Sequence, residues 1–350
     1  MATTAVNRPA SAPVLPNLDG IRAVACLCVV VSHMPLPGKP DALGGVGVAV
    51  FFVLSGFLMA YLYGRTPWDS ATVLHYCIAR FTRIAPIYWV VVSLCIVLSN
   101  LDLGDDFPMQ IVGVKQIARH YFFVGTGYVF WSIPPEIQYY GFFLVIWWCL
   151  ARHTRYTFAL PVLTLVGTAL VLTHALWPGV SLPNKLHLFL AGTVAGLVPR
   201  RLWSTAANGP MLVWLQCGAL VLVVVPVWLF SSQAALYSAP EAGIAFAVGI
   251  YFLSIPSRWT ALVFASSPMR AIGRASFSIY LMHVLVFYAG MRWLQISQDL
   301  YDPLWWLLGF AAVAIPLVVS IFLEIPLQRV TRRALQNLYS RRNKLYRQVA

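Results

Sequence analysis

The first apolar run of the chain, NLDGIRAVACLCVVVSHMP from Asn17 to Pro35, holds Arg22 near one end and His33 near the other. At about 100° per residue, the separation makes three helical turns plus roughly 20°, with a rise of about 16 Å, so both side chains share one helix face. A histidine can take a proton near neutral pH, which makes His33 a candidate general base with Arg22 as its charged companion. Arg80 and Arg83, three apart in RFTRIAP, put two guanidinium groups on one face. That pair suits bidentate phosphate binding, or plain anchoring to a cytoplasmic surface. In WSIPPEIQYYGFF, Ser132 is placed as an N-cap and Pro134 and Pro135 open a helix. Glu136 then falls in the first turn, with Tyr140 one turn on. This carboxylate either complements the helix dipole or, at the outer depth of His33, orients the imidazole. His283, in GRASFSIYLMHVLVF, is either a hydrogen-bonded core histidine or a substrate contact. Glu324, in FLEIPLQR, is expected in a structural ion pair with Arg329.

The elements that carry these residues must sit in a membrane. The 350-residue chain is 60% hydrophobic and only 10% charged, with a mean hydropathy of +0.75, whereas soluble domains average about 25% charged. The expected class is an all-α polytopic membrane protein. Ten candidate spans follow, at about 18–34, 44–63, 84–100, 136–151, 157–174, 186–199, 211–230, 242–256, 275–291 and 304–323. With the N-terminus in the cytoplasm, only Lys39, Lys115, Arg119, Lys185 and Arg292 of the 24 basic residues fall outside. Positive charge therefore concentrates inside, which supports ten transmembrane helices with both termini cytoplasmic. The net charge of +13 is explained by this orientation, and nucleic-acid binding is not expected.

The organisation is a short N-terminal tail (1–16), a transmembrane domain (17–328) and a basic cytoplasmic tail (329–350) suited to anionic membrane lipid. The tail before Asn17 lacks a basic region leading into a cleavable apolar core, so the first span is expected to remain in the mature protein. The outer loop at about 101–135 contains QIARHYFFV, a candidate interfacial or re-entrant helix. The glycines of GGVGVAVFFVLSGFLM lack the spacing of a nucleotide loop and are read as close helix packing. The six cysteines, without zinc-type spacing, are read as small buried hydrophobes, and no metal centre is expected.

Taken together, the stretches LDGIRAVACLCVVVSH, GGVGVAVFFVLSGFLM, RFTRIAPIYW, IPPEIQYY, GRASFSIYLMH and LEIPLQR resemble, in order, the membrane-bound acyltransferase-3 proteins. These proteins O-acylate sugars and other hydroxyl-bearing acceptors. The resemblance implies a ten-helix bundle in the bacterial cytoplasmic (inner) membrane. It would transfer an acyl group, acetyl in the first place, from cytoplasmic acyl-coenzyme A. His33 would be the central catalytic residue, with Arg22 and Glu136 assisting and Arg80 and Arg83 holding coenzyme A. Tyr140, Ser132 and His283 would contact substrate. The acceptor implied first is an envelope polysaccharide or lipopolysaccharide, and second a small secondary metabolite such as a macrolide. Many such proteins carry an additional extracytoplasmic domain, so the expectation is that this chain completes the transfer alone or uses a separate extracytoplasmic partner. The competing class is a proton-coupled transporter, which inverted repeats and paired broken helices would favour; the sequence displays neither.

Overall fold

The computed structural model describes residues 15–101, 107–199, 209–294 and 303–349, with side chains to residue 340. Most of the N-terminal tail, with Arg8, lies outside the described residues. So do Arg200, Arg201 and the side chains of Arg341, Arg342, Lys344 and Arg347, all of which entered the orientation argument.

Helices follow one another as α1 (Pro16–Ser32), α2 (Leu43–Tyr63), α3 (Ser70–Ser99), α4 (Val114–Tyr121), α5 (Ile133–Arg152), α6 (Ala159–Leu172) and α7 (Leu182–Leu197). Then come α8 (Pro210–Val224), α9 (Gln233–Tyr237), α10 (Pro240–Leu253), α11 (Arg258–Phe264), α12 (Ser267–Arg274), α13 (Ser276–Leu294), α14 (Leu304–Val319) and α15 (Ile325–Val349). No strand occurs among the described residues. Each of the ten expected span positions holds a helix. Five described helical stretches are long and apolar enough to cross a membrane: Leu43–Tyr63, Ser70–Ser99, Pro210–Leu229, Ser276–Leu294 and Leu304–Ser340. A sixth is added if α10 and α11, bent by 109° at their break, count as one span. The protein is thus an integral membrane protein by its apolar helices.

α2 occupies the centre. Its apolar window is 83% buried, against 22% for Pro210–Leu229 and 28% for Leu304–Ser340, which present apolar side chains outward. Small residues make that centre possible. A Cβ added at Gly47 would strike the Ala25 carbonyl, one at Gly56 the Phe189 carbonyl, and one at Gly192 the Val53 carbonyl. Backbones of α1, α2 and α7 therefore touch directly, as the glycine spacing predicts.

The two ends of the site are fixed separately. At the start of α1, the Asn17 amide donates to Leu253 O (3.0 Å), Ile255 O (3.4 Å) and Thr260 Oγ1 (3.2 Å), in the break between α10 and α11. This tie sets the depth of Arg22, just over one turn later. On the other side, the segment before α5 folds into the bundle: Phe107, Met109, Ile111, Val129 and Phe130 are all buried. The first turn of α5 is consequently covered by this loop. Ser132 forms no side-chain cap on α5, contrary to the sequence expectation, because its hydroxyl turns toward α13. The QIARHYFFV segment forms the short α4, and His120 there packs against Phe130 with ring centroids 5.2 Å apart. Burial pushes the His120 imidazole below its ordinary pKa.

A single π turn, Ser320–Glu324, joins α14 to α15 and aims Glu324 into the bundle. α15 runs on through the 328/329 boundary, so the basic tail begins inside a helix. Cys26, Cys95 and Cys149 are buried as expected, while Cys77 and Cys217 are exposed.

Candidate active site

Two cavities lie end to end along α1. The inner one is lined by Arg22 from α1, Ser55 from α2, Arg83 from α3, Glu136 from α5, and Phe277 and Tyr280 from α13. Charged groups meet here in defined pairs. Glu136 Oε1 accepts hydrogen bonds from Ser55 Oγ (3.0 Å) and the Tyr140 hydroxyl (2.7 Å). Arg83 Nη1 lies 3.3 Å from Glu324 Oε1. That carboxylate also accepts from Gln328 Nε2 (2.9 Å), Ser278 Oγ (2.7 Å) and Ser320 Oγ (2.6 Å). The ion partner of Glu324 is therefore Arg83, where the sequence suggested Arg329. A buried carboxylate needs such saturation, because a charge without partners in a low-dielectric interior costs several kcal/mol.

Arg22 and Arg80 retain unmet capacity: the Nε of each is buried without a hydrogen-bond partner. Although Arg80 and Arg83 are three residues apart, they serve different spaces. Arg83 faces the inner cavity, and Arg80 lies at a neighbouring apolar groove between α3 and α5, its guanidinium 5.9 Å from the Tyr140 ring centre. The groups are linked through Tyr140, which touches Arg80 through its ring and Glu136 through its hydroxyl.

The outer cavity is lined by His33, Ser32, Gly44, Tyr128, Trp131 and Gln233, among others. His33 caps the C-terminus of α1, and its Nδ1 lies 2.9 Å from Val29 O. A carbonyl only accepts, so Nδ1 carries the proton in this bond and Nε2 presents a lone pair. Lys39 secures the same helix end, donating to Ser32 O at 2.6 Å and to Met34 O. The ring of His283 packs edge-on against His33 with centroids 4.8 Å apart. Fully buried, His283 bonds Ile279 O through Nδ1 at 3.1 Å, while its Nε2 has no partner. Tyr128 stands 5.9 Å from His33 at a φ of +44°, a region that side-chain-bearing residues seldom occupy.

The structure therefore brings His33 together with His283, and Arg22 together with Arg83, Glu136 and Ser132. It does not join Glu136 to His33 by a hydrogen bond among the described residues. Their partners lie in different cavities. Val48 and Tyr280 line both cavities. The Tyr280 hydroxyl accepts from Ser132 Oγ (2.9 Å) and donates to Val129 O (2.9 Å). Tyr280, Ser55, Tyr128, Trp131 and Gln233 were not singled out from sequence as site residues. For Tyr280, the available signal was its position three residues before His283 on the same helix.

Comparison with known proteins gives a consistent assignment. A family model described as an acyltransferase domain, of the acyltransferase-3 type, matches residues 15–324. The chain is similar to a peptidoglycan O-acetyltransferase, OatA, of Listeria monocytogenes, at 25% identity over 90% of this chain and 56% of the relative. It is also similar to a putative O-acetyltransferase of Staphylococcus aureus (strain COL), at 26% identity over 78% of this chain and 50% of the relative. A third relative, protein 2 in the picA locus of Rhizobium radiobacter, is 30% identical over 35% of this chain and 68% of the relative. The chain spans about half the length of the first two. No solved structure matches.

Proposed function

Because the chain belongs to the acyltransferase-3 family, we propose that it transfers an acetyl group from acetyl-coenzyme A to a hydroxyl of an envelope glycan. Peptidoglycan is the first acceptor to test, given the name of the Listeria relative. The ten helices are read as ten crossings, with both termini in the cytoplasm of a bacterial cell and the bundle in its cytoplasmic membrane. The basic residues of α15 support that orientation.

The donor fits the residues present. Its phosphates need cationic donors: Arg22, with its unpartnered Nε, and Arg83 line the inner cavity, and Arg80, also unpartnered at Nε, stands at the neighbouring groove between α3 and α5. Glu136, held by Ser55 and Tyr140, acts as a positioning residue for that cationic group rather than as the helper of His33. Ser132 and His283 shape the route to the acceptor. The single observation that carries the chemistry is the Nδ1 bond of His33 to Val29 O, which leaves Nε2 as a base in the outer cavity. His33 Nε2 takes the proton of the acceptor hydroxyl as its oxygen attacks the thioester carbonyl. The carbon–oxygen bond forms, the carbon–sulfur bond breaks, and the proton passes from His33 to the departing thiolate. This direct transfer is preferred to an acyl-histidine route.

The test is transfer of label from radioactive acetyl-coenzyme A in membranes carrying the wild type or His33→Ala. Base-labile label on glycan from the wild type alone is the expected result. Equal transfer by both proteins would remove His33 from the chemistry, and label that is trapped on His33 without acceptor and passes to glycan when acceptor is added would establish the acyl-histidine route.

A further inference from the structure

The two cavities differ in size and are separated by very little. The inner one offers about 50 Å³ and the outer one about 270 Å³. Val48 from α2 and Tyr280 from α13 belong to the lining of both, and so form the wall between them. Val48 is 6% exposed and Tyr280 likewise 6%. The Tyr280 ring is clasped at its hydroxyl by Ser132 and the Val129 carbonyl, and packs against Phe51 on one side with centroids 6.5 Å apart. His283, one turn along α13 and fully buried, backs the wall by its contacts with Tyr280 (6.1 Å) and His33 (4.8 Å).

Resting on the acyltransferase reading, this geometry poses a transport problem inside the protein. The arginines that suit the anionic end of the donor line the inner cavity and its flank, whereas the Nε2 lone pair suited to deprotonate the acceptor lies in the outer cavity. The reacting carbonyl must pass the wall to meet both. We propose that Val48 and Tyr280 form the constriction through which the acyl end of the donor passes, and that they set the size of the acyl group this protein transfers. Only the thioester and its acyl chain need go through; the charged nucleotide end stays with the arginines. A compact wall built of one valine and one clamped tyrosine admits acetyl readily and rejects each additional methylene by steric exclusion. Discrimination of this kind amounts to about 10-fold or more per methylene.

Three substitutions at two positions test the constriction from independent directions. Val48→Ala shortens one side without touching any hydrogen bond, and Val48→Leu fills it. Tyr280→Phe keeps the ring but releases Ser132 and Val129 O, so the wall loosens without losing its bulk. Membranes of the expressing bacterium, containing the full chain and their own envelope glycans, are offered an equimolar mixture of ¹⁴C-acetyl- and ³H-butyryl-coenzyme A. The ratio of the two labels on base-labile esters is then read. The expected result is a shift toward butyryl of about tenfold in Val48→Ala, a smaller shift in the same direction in Tyr280→Phe, and a shift toward acetyl in Val48→Leu. Because the readout is a ratio within one sample, reduced amounts of folded protein do not affect it. A wild type that acetylates while Val48→Ala and Tyr280→Phe both keep its ratio overturns the constriction alone. A wild type that places neither label on an ester overturns the acyltransferase reading and the constriction with it.

Discussion

In the inner cavity, charge answers charge: Arg83 meets Glu324, Glu136 is held by two hydroxyls, and Arg22 faces the same space. In the outer cavity no described lining residue is a carboxylate; His33 lines it with Nδ1 bonded to Val29 O, and the buried His283, bonded to Ile279 O through its own Nδ1, packs behind that ring. One region is a cationic site in which Arg83 is balanced by Glu324 while Arg22 keeps an unpartnered Nε free for an anion. The other is a neutral, roomier site where proton transfer can occur without a strong competing ion pair. Under the proposed function, the difference teaches that binding and chemistry are divided along a single helix, with α1 contributing Arg22 to the first and His33 to the second.

The largest expected effects would break this division. His33→Ala should lower kcat by about 10²- to 10⁴-fold, the usual worth of a general base, while acetyl-coenzyme A binding to the detergent-purified protein is unchanged. Loss of donor binding in this variant would mean that the two regions are not separate. Arg83→Ala should do the reverse and more, weakening donor binding and also destabilising the fold by about 3 kcal/mol, since Glu324 is then buried without its cation. Adding Glu324→Leu to Arg83→Met should restore the melting temperature but not donor affinity. If stability and affinity recover together, Arg83 is structural only. A smaller effect separates the supports of Glu136: Ser55→Ala and Tyr140→Phe each remove one hydrogen bond to Oε1, at about 1 kcal/mol apiece. A double-mutant cycle on donor affinity should show coupling between them, because both act through one oxygen atom.

How much of this division was legible in the sequence depends on which distances a helix fixes. The spacing of Arg22 and His33 determined that they share a face, but it was read as one catalytic track, whereas the structure sets the two residues in separate cavities along α1. The close packing of α2 was likewise readable from Gly47 and Gly56. Glu136 was assigned to the depth of His33 because it lies one turn from the outer end of α5. That inference fails where the preceding loop is itself buried: Val129 and Phe130 sit inside the bundle, so the helix start is covered and Glu136 reaches Ser55 on α2 instead. The pairing of Arg83 with Glu324 spans 241 positions, and the nearest basic residue along the chain was a poor guide to it. Tyr280 was overlooked for a related reason. Its role as a wall is defined by cavities on both sides, which no periodicity reveals.

The smallest effect expected sharpens the comparison at the rim of the outer cavity. Lys39 donates to Ser32 O and Met34 O, carbonyls at the C-terminal end of α1 that lack a further turn of helix to bond. Burial lowers the pKa of its ammonium below the ordinary lysine value, with Asp41 opposing that shift. The unfolded chain therefore binds this proton more tightly than the folded one. Stability should rise with pH in the window just below the free-lysine value of about 10.4, as the unfolded state's advantage in proton binding is removed. Lys39→Met abolishes this particular pH dependence and loosens the helix end that positions His33. The expected result is a flatter melting temperature against pH just below the free-lysine value of about 10.4, together with a fall of a few-fold in kcat and no change in donor affinity. An equal loss of donor affinity would show that the end of α1 communicates with the arginines, and the separation of the two cavities would then be incomplete.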